Sequence, residues 1–198
     1  MRTMMIAAVL LAGVATPAFA QESGFTGPRA EGVIGWDEVK GQGGTVSDNG
    51  DGLLYGGVIG YDIQKGGAVI GAEAELTGST ADKRASNLLA TGDAFSIDAG
   101  RDIYVGARVG ATLSDSTLVY AKGGYTNARF NSAYTLGTTT VRGAENLDGW
   151  RIGAGLEQKL GGNVYLKAEY RYSDYGEFDN SGLEVSRHQV VGGVGIRF

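Results

Sequence analysis

From Tyr165 to Ser173 the chain alternates with a period of two. Leu166, Ala168, Tyr170 and Tyr172 fall on one parity, and Lys167, Glu169, Arg171 and Ser173 on the other. Successive side chains of a strand point to opposite faces, so this segment has an apolar face and a charged face. Two earlier segments repeat the arrangement. Trp150, Ile152, Ala154 and Leu156 alternate with Arg151, Gly153, Gly155 and Glu157, and Ile103, Val105, Ala107 and Val109 oppose Tyr104, Gly106 and Arg108. The chain ends the same way. Counting back in twos from Phe198 gives Ile196, Val194, Gly192 and Val190, while Arg197, Gly195, Gly193, Val191 and Gln189 make the other face. A soluble β-core is disfavoured because so many charges stand on the parity opposite the rings and aliphatics. Strands with one lipid-compatible face suit a membrane-spanning sheet closed on itself, in which every backbone group is paired internally.

Reading this alternation along the chain yields eight strands, at about 28–39, 53–63, 68–77, 100–113, 117–130, 147–159, 163–175 and 187–198. Most approach or exceed the roughly 9–11 residues a tilted strand needs to cross a bilayer. Gln64-Lys-Gly-Gly67, Ser114-Asp-Ser116 and Gly161-Gly162 read as tight turns, whereas 40–52, 78–99, 131–146 and 176–186 read as longer loops. Short turns at one end and four long loops at the other predict an all-β, eight-stranded, antiparallel up-and-down transmembrane β-barrel, with the turns periplasmic. The 35 glycines against 2 prolines fit this, because glycine in a strand marks a bend or a close approach.

Residues 1–20 have the features of a cleaved export signal: Arg2, the apolar run Met4 to Ala15, and Pro17-Ala-Phe-Ala20 with its small-x-small end. The apolar run is shorter than the roughly 20 residues of a membrane-spanning helix, and the barrel domain is expected to occupy 21–198. Loss of Arg2 moves the net charge from −5 to −6. An acidic chain argues against nucleic acid as a partner. With no Cys and one His, disulfides and most metal, haem and thiol chemistry are set aside, so no cofactor and no metal is expected. Asp48-Asn-Gly-Asp-Gly52 lacks the later ligands of a calcium loop and reads as a turn.

With the first strand running outward, Trp36, Tyr55, Tyr125, Trp150, Tyr170 and Tyr172 fall on the lipid face near the outer end. They make an aromatic girdle at the interface, with Phe198 at the inner end. Gly149-Trp-Arg-Ile-Gly-Ala-Gly-Leu-Glu157, Tyr165-Leu-Lys-Ala-Glu-Tyr-Arg-Tyr-Ser-Asp-Tyr-Gly176, Leu118-Val-Tyr-Ala-Lys-Gly-Gly-Tyr125 and the closing His188-Gln189…Phe198 resemble the small opacity-type or porin-like outer-membrane proteins of alphaproteobacteria. These have an OmpA-like eight-stranded barrel. The resemblance covers 21–198 and is strongest from Leu118 onward. It implies a monomer in the cell outer membrane, in contact with outer-membrane lipid. It also implies that terminal Phe198 is the assembly signal read by the barrel-insertion machinery. Its motifs specify architecture and carry no catalytic signature.

The bore of an eight-stranded barrel is just wide enough for side chains to fill. On the lumen parity Glu73, Glu75, Glu157 and Glu169 face Arg108, Lys122, Arg151, Lys167 and Arg171, which predicts a paired charge network because an unpaired buried charge is strongly penalised. Glu73 and Glu75 are therefore read as structural and not as an acid/base pair. Glu184, Ser186 and His188 share a parity near the outer rim, the ingredients of a lipid hydrolase, but the surrounding sequence does not resemble the lipid A deacylases. His188 is read as an interfacial histidine, and no enzyme activity is expected. The expected role is structural and surface interaction: a charge-paired, plugged barrel displaying four outer loops to an extracellular partner. A narrow porin is the alternative, and a lipid-modifying enzyme ranks below it.

Overall fold

Three two-residue turns set the register of the sheet: Gly66-Gly67, Asp115-Ser116 and Gly162-Asn163. Gly66 and Gly162 sit at φ of 60° and 57°, the left-handed region that glycine enters without a Cβ clash. The computed structural model describes residues 24–42, 48–80, 82–86, 93–136, 139–177 and 184–198; the expected export segment 1–20 lies outside them. Nine β-segments follow in chain order: β1 Gly27–Gln42, β2 Asp48–Lys65, β3 Ala68–Ser79, β4 Asp82–Ser86, β5 Asp93–Ser114, β6 Thr117–Leu136, β7 Thr139–Gly161, β8 Val164–Glu177 and β9 Glu184–Arg197.

All pairings are antiparallel, and they close. β1 pairs with both β2 and β9, and the far edge of β3 pairs with β5, so β1-β2-β3-β5-β6-β7-β8-β9 returns on itself. The extra segment does not enlarge the ring. β3 meets β5 as far as Gly78↔Arg101, and β4 resumes on the same edge at Asp82↔Asp98. β4 therefore continues the position of β3 after a break between Ser79 and Asp82. The barrel is eight-stranded, its third position built from two segments.

Three strands are much longer than the alternation indicated: β5, β6 and β7 have 22, 20 and 23 residues. The segment 131–146, expected as a loop, is a paired hairpin up to Leu136↔Thr139. Most of the other long connection, 78–99, is taken up by β4 and the start of β5. Likewise β1 runs to Gln42 and β2 starts at Asp48. The physical reason is that period-two apolarity reports a lipid face. Strand pairing continues beyond that face on hydrogen bonds and cross-strand pairs alone, as between the Thr135 and Thr140 hydroxyls 3.0 Å apart.

The barrel is inside-out relative to a soluble protein. Ile34, Ile59, Ile70, Leu76, Val105, Val109, Ile152, Val190 and Val194 are exposed around its wall, while sixteen charged side chains are buried within. No helix among the described residues is long and apolar enough to cross a membrane; the apolar band is carried by strands. Two small apolar clusters share the interior: Val33, Leu54, Val58 and Val191 against the β1–β2–β9 wall, and Phe25, Val69, Leu118 and Tyr120 at the tight-turn end.

Candidate functional site

The bore is where the chain concentrates its chemistry. All nine residues expected there are buried: Glu73, Glu75, Arg108, Lys122, Arg151, Glu157, Lys167, Glu169 and Arg171. Seven more join them: Arg29, Glu31, Asp37, Asp62, Asp102, Arg187 and Arg197. The described interior thus holds eight carboxylates and eight cations, against the four and five that parity alone predicts at mid-strand. The missed residues have the same parity as the others. Arg29, Glu31, Asp62, Arg187 and Arg197 lie toward strand ends, and Asp37 and Asp102 lie where the apolar alternation of β1 and β5 gives out although the strands continue.

Three layers of contacts can be followed along the barrel axis. At the tight-turn end Asp62 gathers Arg108 (Nε to Oδ1 2.8 Å), Arg29 and Arg197, and Glu157 accepts from Arg197 at 2.6 Å and Arg108 at 3.1 Å. In the middle Lys122 lies 2.7 Å from Glu73 and 2.9 Å from Glu169, and also contacts Glu75. Lys167 pairs with Glu31, and Arg171 holds Glu169 and Glu75. Toward the long-hairpin end Arg151 donates to Asp102, and Arg187 bridges Asp102 and Asp37. Arg29 links the first layer to the second through Glu73, and Arg151 links the second to the third through Glu75. One network therefore runs the length of the bore.

Tyrosines complete it. Tyr120 donates to Glu169 (2.6 Å), Tyr165 to Glu31 (2.8 Å) and Tyr175 to Asp102 (2.7 Å). The Tyr104 ring lies under Lys122 Nζ at 4.7 Å and Arg151 at 5.4 Å, within range of cation–π attraction. Lumen-facing glycines make room for these rings. A Cβ at Gly106 would overlap the Tyr104 hydroxyl, and one at Gly195 would overlap the Tyr165 ring. Gly124 and Gly155 stand likewise against Tyr104 and Tyr120, since two adjacent strands cannot both carry a bulky group into so narrow a bore.

The tight-turn end carries a feature that alternation does not encode. Phe25, ahead of β1, turns into the bore and is 1% exposed. Lys159 Nζ stands 4.2 Å from its ring centroid and donates to the Gly24 carbonyl at 2.9 Å, while Arg197 donates to the Phe25 carbonyl. The Phe25 N–H donates to Gln64 Oε1 at 2.6 Å. A single aromatic before the first strand offers no periodicity, so the sequence carries no signal for this role.

On the outer wall Trp36, Tyr55, Tyr125, Trp150 and Tyr170 are exposed and Tyr172 is half-buried. Trp150 packs on Tyr172 (5.6 Å between centroids) and Tyr172 on His188 (5.1 Å). His188 Nδ1 lies 2.7 Å from the Tyr170 hydroxyl. Ser186 makes no hydrogen bond to His188 among the described residues, and the Glu184 side chain lies outside them. The histidine is thus engaged by the aromatic ring system and not by a nucleophile. Phe198 is exposed on the wall at the tight-turn end and its N–H donates to the Pro28 carbonyl at 2.9 Å. The described residues contain no group of three His, Asp or Glu placed to hold a metal ion; Asp48-Asn49-Gly50 have no described side chains.

Comparison with known proteins agrees with this geometry. A family model described as an outer membrane protein beta-barrel domain matches residues 6–198. The 31 kDa outer-membrane immunogenic protein of Brucella melitensis is 31% identical over 171 residues, covering 78% of this chain and 70% of that protein. Among solved structures, Neisserial surface protein A superposes with a TM-score of 0.54 at 15% identity, covering 87% of this chain and 98% of its own. The outer membrane protease OmpT of Escherichia coli also reaches 0.54, at 9% identity and 87% and 97% coverage. At these identities the structural matches establish the fold alone, and a fold shared with a protease does not decide for or against catalysis.

Proposed function

The chain belongs to the outer-membrane β-barrel family and resides in the outer membrane, and from that premise we propose that it is a non-enzymatic surface-interaction protein: a plugged barrel acting as a rigid anchor for strands that project from the cell. The observation that carries this reading is the extension of β4, β5, β6 and β7 beyond the aromatic girdle. With the tight turns periplasmic, as in this class of barrel, their outer portions form a sheet standing clear of the lipid. From Thr140 to Asn146 β7 is exposed at every position, including Val141 and Arg142. Side chains on a rigid scaffold are where recognition is usually placed.

The end-to-end charge network supports the anchoring half of the proposal. Sixteen buried ionic groups, interleaved with tyrosines, leave an eight-stranded bore little room for a water column. The Brucella relative is described as immunogenic, which is compatible with a surface role for this chain. On this reading Phe198, exposed on the wall at the tight-turn end, is the residue that the insertion machinery recognises.

The test is to replace 80–99 and 131–144 by short Gly/Ser turns and to stain intact cells with antibody raised against the whole protein. Barrel assembly should be unchanged and surface staining should largely disappear. Undiminished staining would mean that the projecting strands are not the recognised surface.

A further inference from the structure

We propose that Gly24-Phe25, the segment ahead of β1, is a latch that keeps the seam between the first and last strands of the barrel shut. Every other neighbouring pair in the ring is joined by chain at one end, whereas β1 and β9 meet only through their ladder. Side chains add little to that ladder. Five successive pairs each contain a glycine: Glu31↔Gly195, Gly32↔Val194, Val33↔Gly193, Ile34↔Gly192 and Gly35↔Val191. Along this stretch no two side chains face each other across the seam, and such facing pairs are the unit of sheet stabilisation. Toward the tight-turn end Arg29 stands opposite Arg197, both drawn onto Asp62 at 3.1 and 2.7 Å. Like charges directly opposite are destabilising. The other end is better held, since Arg187 and Gln189 of β9 both donate to Asp37 of β1, and midway Tyr165 and Lys167 of β8 reach Glu31. The tight-turn end is therefore where the seam most needs support.

The strap ties that end together from inside the bore. Arg197 of β9 donates to the Phe25 carbonyl, Lys159 of β7 to the Gly24 carbonyl at 2.9 Å, and the Phe25 N–H donates to Gln64 of β2 at 2.6 Å. The ring is buried against Val69 of β3 and Leu118 and Tyr120 of β6. Lys159 Nζ, 4.2 Å from its centroid, adds a cation–π contact. Five strands thus build the seat, and they come from both sides of the seam. For β1 to part from β9, Arg197 must release Phe25 and the ring must leave its seat. Partners 39, 135 and 172 residues away along the chain are assembled only in the closed ring. The strap accordingly docks after the seam forms, raising the barrier to opening without changing the rate of closing.

Protein purified from outer membranes would be unfolded in urea and refolded into dilauroylphosphatidylcholine vesicles, with the folded fraction read from its mobility in cold SDS. F25A should unfold about a hundredfold faster than wild type and fold at the same rate. F25L, which refills the seat with an apolar side chain, should lie close to wild type. K159M keeps the ring but cuts its tie to β7 and should unfold about tenfold faster, an arm that stands if F25A assembles poorly. Amide exchange locates the effect: in F25A it should quicken at the tight-turn ends of β1 and β9 while β6 keeps wild-type protection. Unchanged unfolding in both F25A and K159M would overturn the proposal. So would slower folding of F25A at the wild-type unfolding rate, or exchange that rises equally around the ring.

Discussion

Arg151 reaches from β7 across the bore to Asp102 on β5, guanidinium nitrogen to carboxylate oxygen 2.5 Å, and both side chains are sealed from solvent. Its Nε also donates to Ser173 at 2.7 Å and its other terminal nitrogen faces Glu75. Four strands, β3, β5, β7 and β8, are thus tied together by one side chain at the point where two layers of the network join.

Replacing Arg151 by Met removes the cation and leaves the carboxylates. Breaking a buried pair from one side is far costlier than replacing both members. Arg151→Met should therefore lower the stability of the folded barrel by about 3–5 kcal/mol, read from urea unfolding in detergent or lipid. Removing Asp102 as well, as Asn, should recover part of the loss. A single variant as stable as wild type would show that the network contributes nothing to the fold.

The two-faced wall predicts a depth dependence. Ala154 is exposed in the apolar band between Ala121 and Tyr170, whereas Asn146 is exposed on the same strand beyond the girdle. Ala154→Arg should cost about 2–4 kcal/mol and Asn146→Arg about 0–1 kcal/mol. Equal costs, measured as unfolding free energies in the same lipid, would place the bilayer elsewhere on the barrel.

Neighbouring glycines of β9 should separate in the same assay. A side chain at Gly195 meets the Tyr165 ring, whose hydroxyl serves Glu31, while one at Gly192 meets only the Ile34 carbonyl, at 3.9 Å. Gly195→Val should destabilise by about 1–3 kcal/mol through overpacking. Gly192→Val should be close to neutral, because it adds an apolar group to the lipid face.

How much of this could be read from the chain follows from what alternation measures. Trp150, Ile152 and Leu156 against Arg151 and Glu157 report a strand with lipid on one side, so the strand order, the tight turns and the outward parity of the girdle were legible. Arg197 stands on the parity opposite the lipid face, and Arg29, Glu31 and Asp62 share the inward parity of their strands, but the reading of the lumen stops at the mid-strand charges. What it does not report is reach: from a rim position a long side chain still joins the central network, as Arg29 does through Glu73. Beyond the girdle both faces meet water, the alternation ends, and the strand extensions at 131–146 became visible only through pairings such as Tyr134↔Val141. Phe25 belongs to no repeat, so its turn into the bore is a tertiary event with no local signature.

The central claim is that the charge-paired bore makes this barrel an anchor and not a pore, and single-channel recording in planar bilayers tests it most directly. Reconstituted protein should show no stable, reproducible conductance steps above the membrane leak across the accessible voltage range, because the linked carboxylates and cations from Asp62 to Arg187 occupy the path. Well-defined steps from the folded, unmodified protein, abolished by lumen substitutions that leave it folded, would contradict the account and establish a narrow channel in its place.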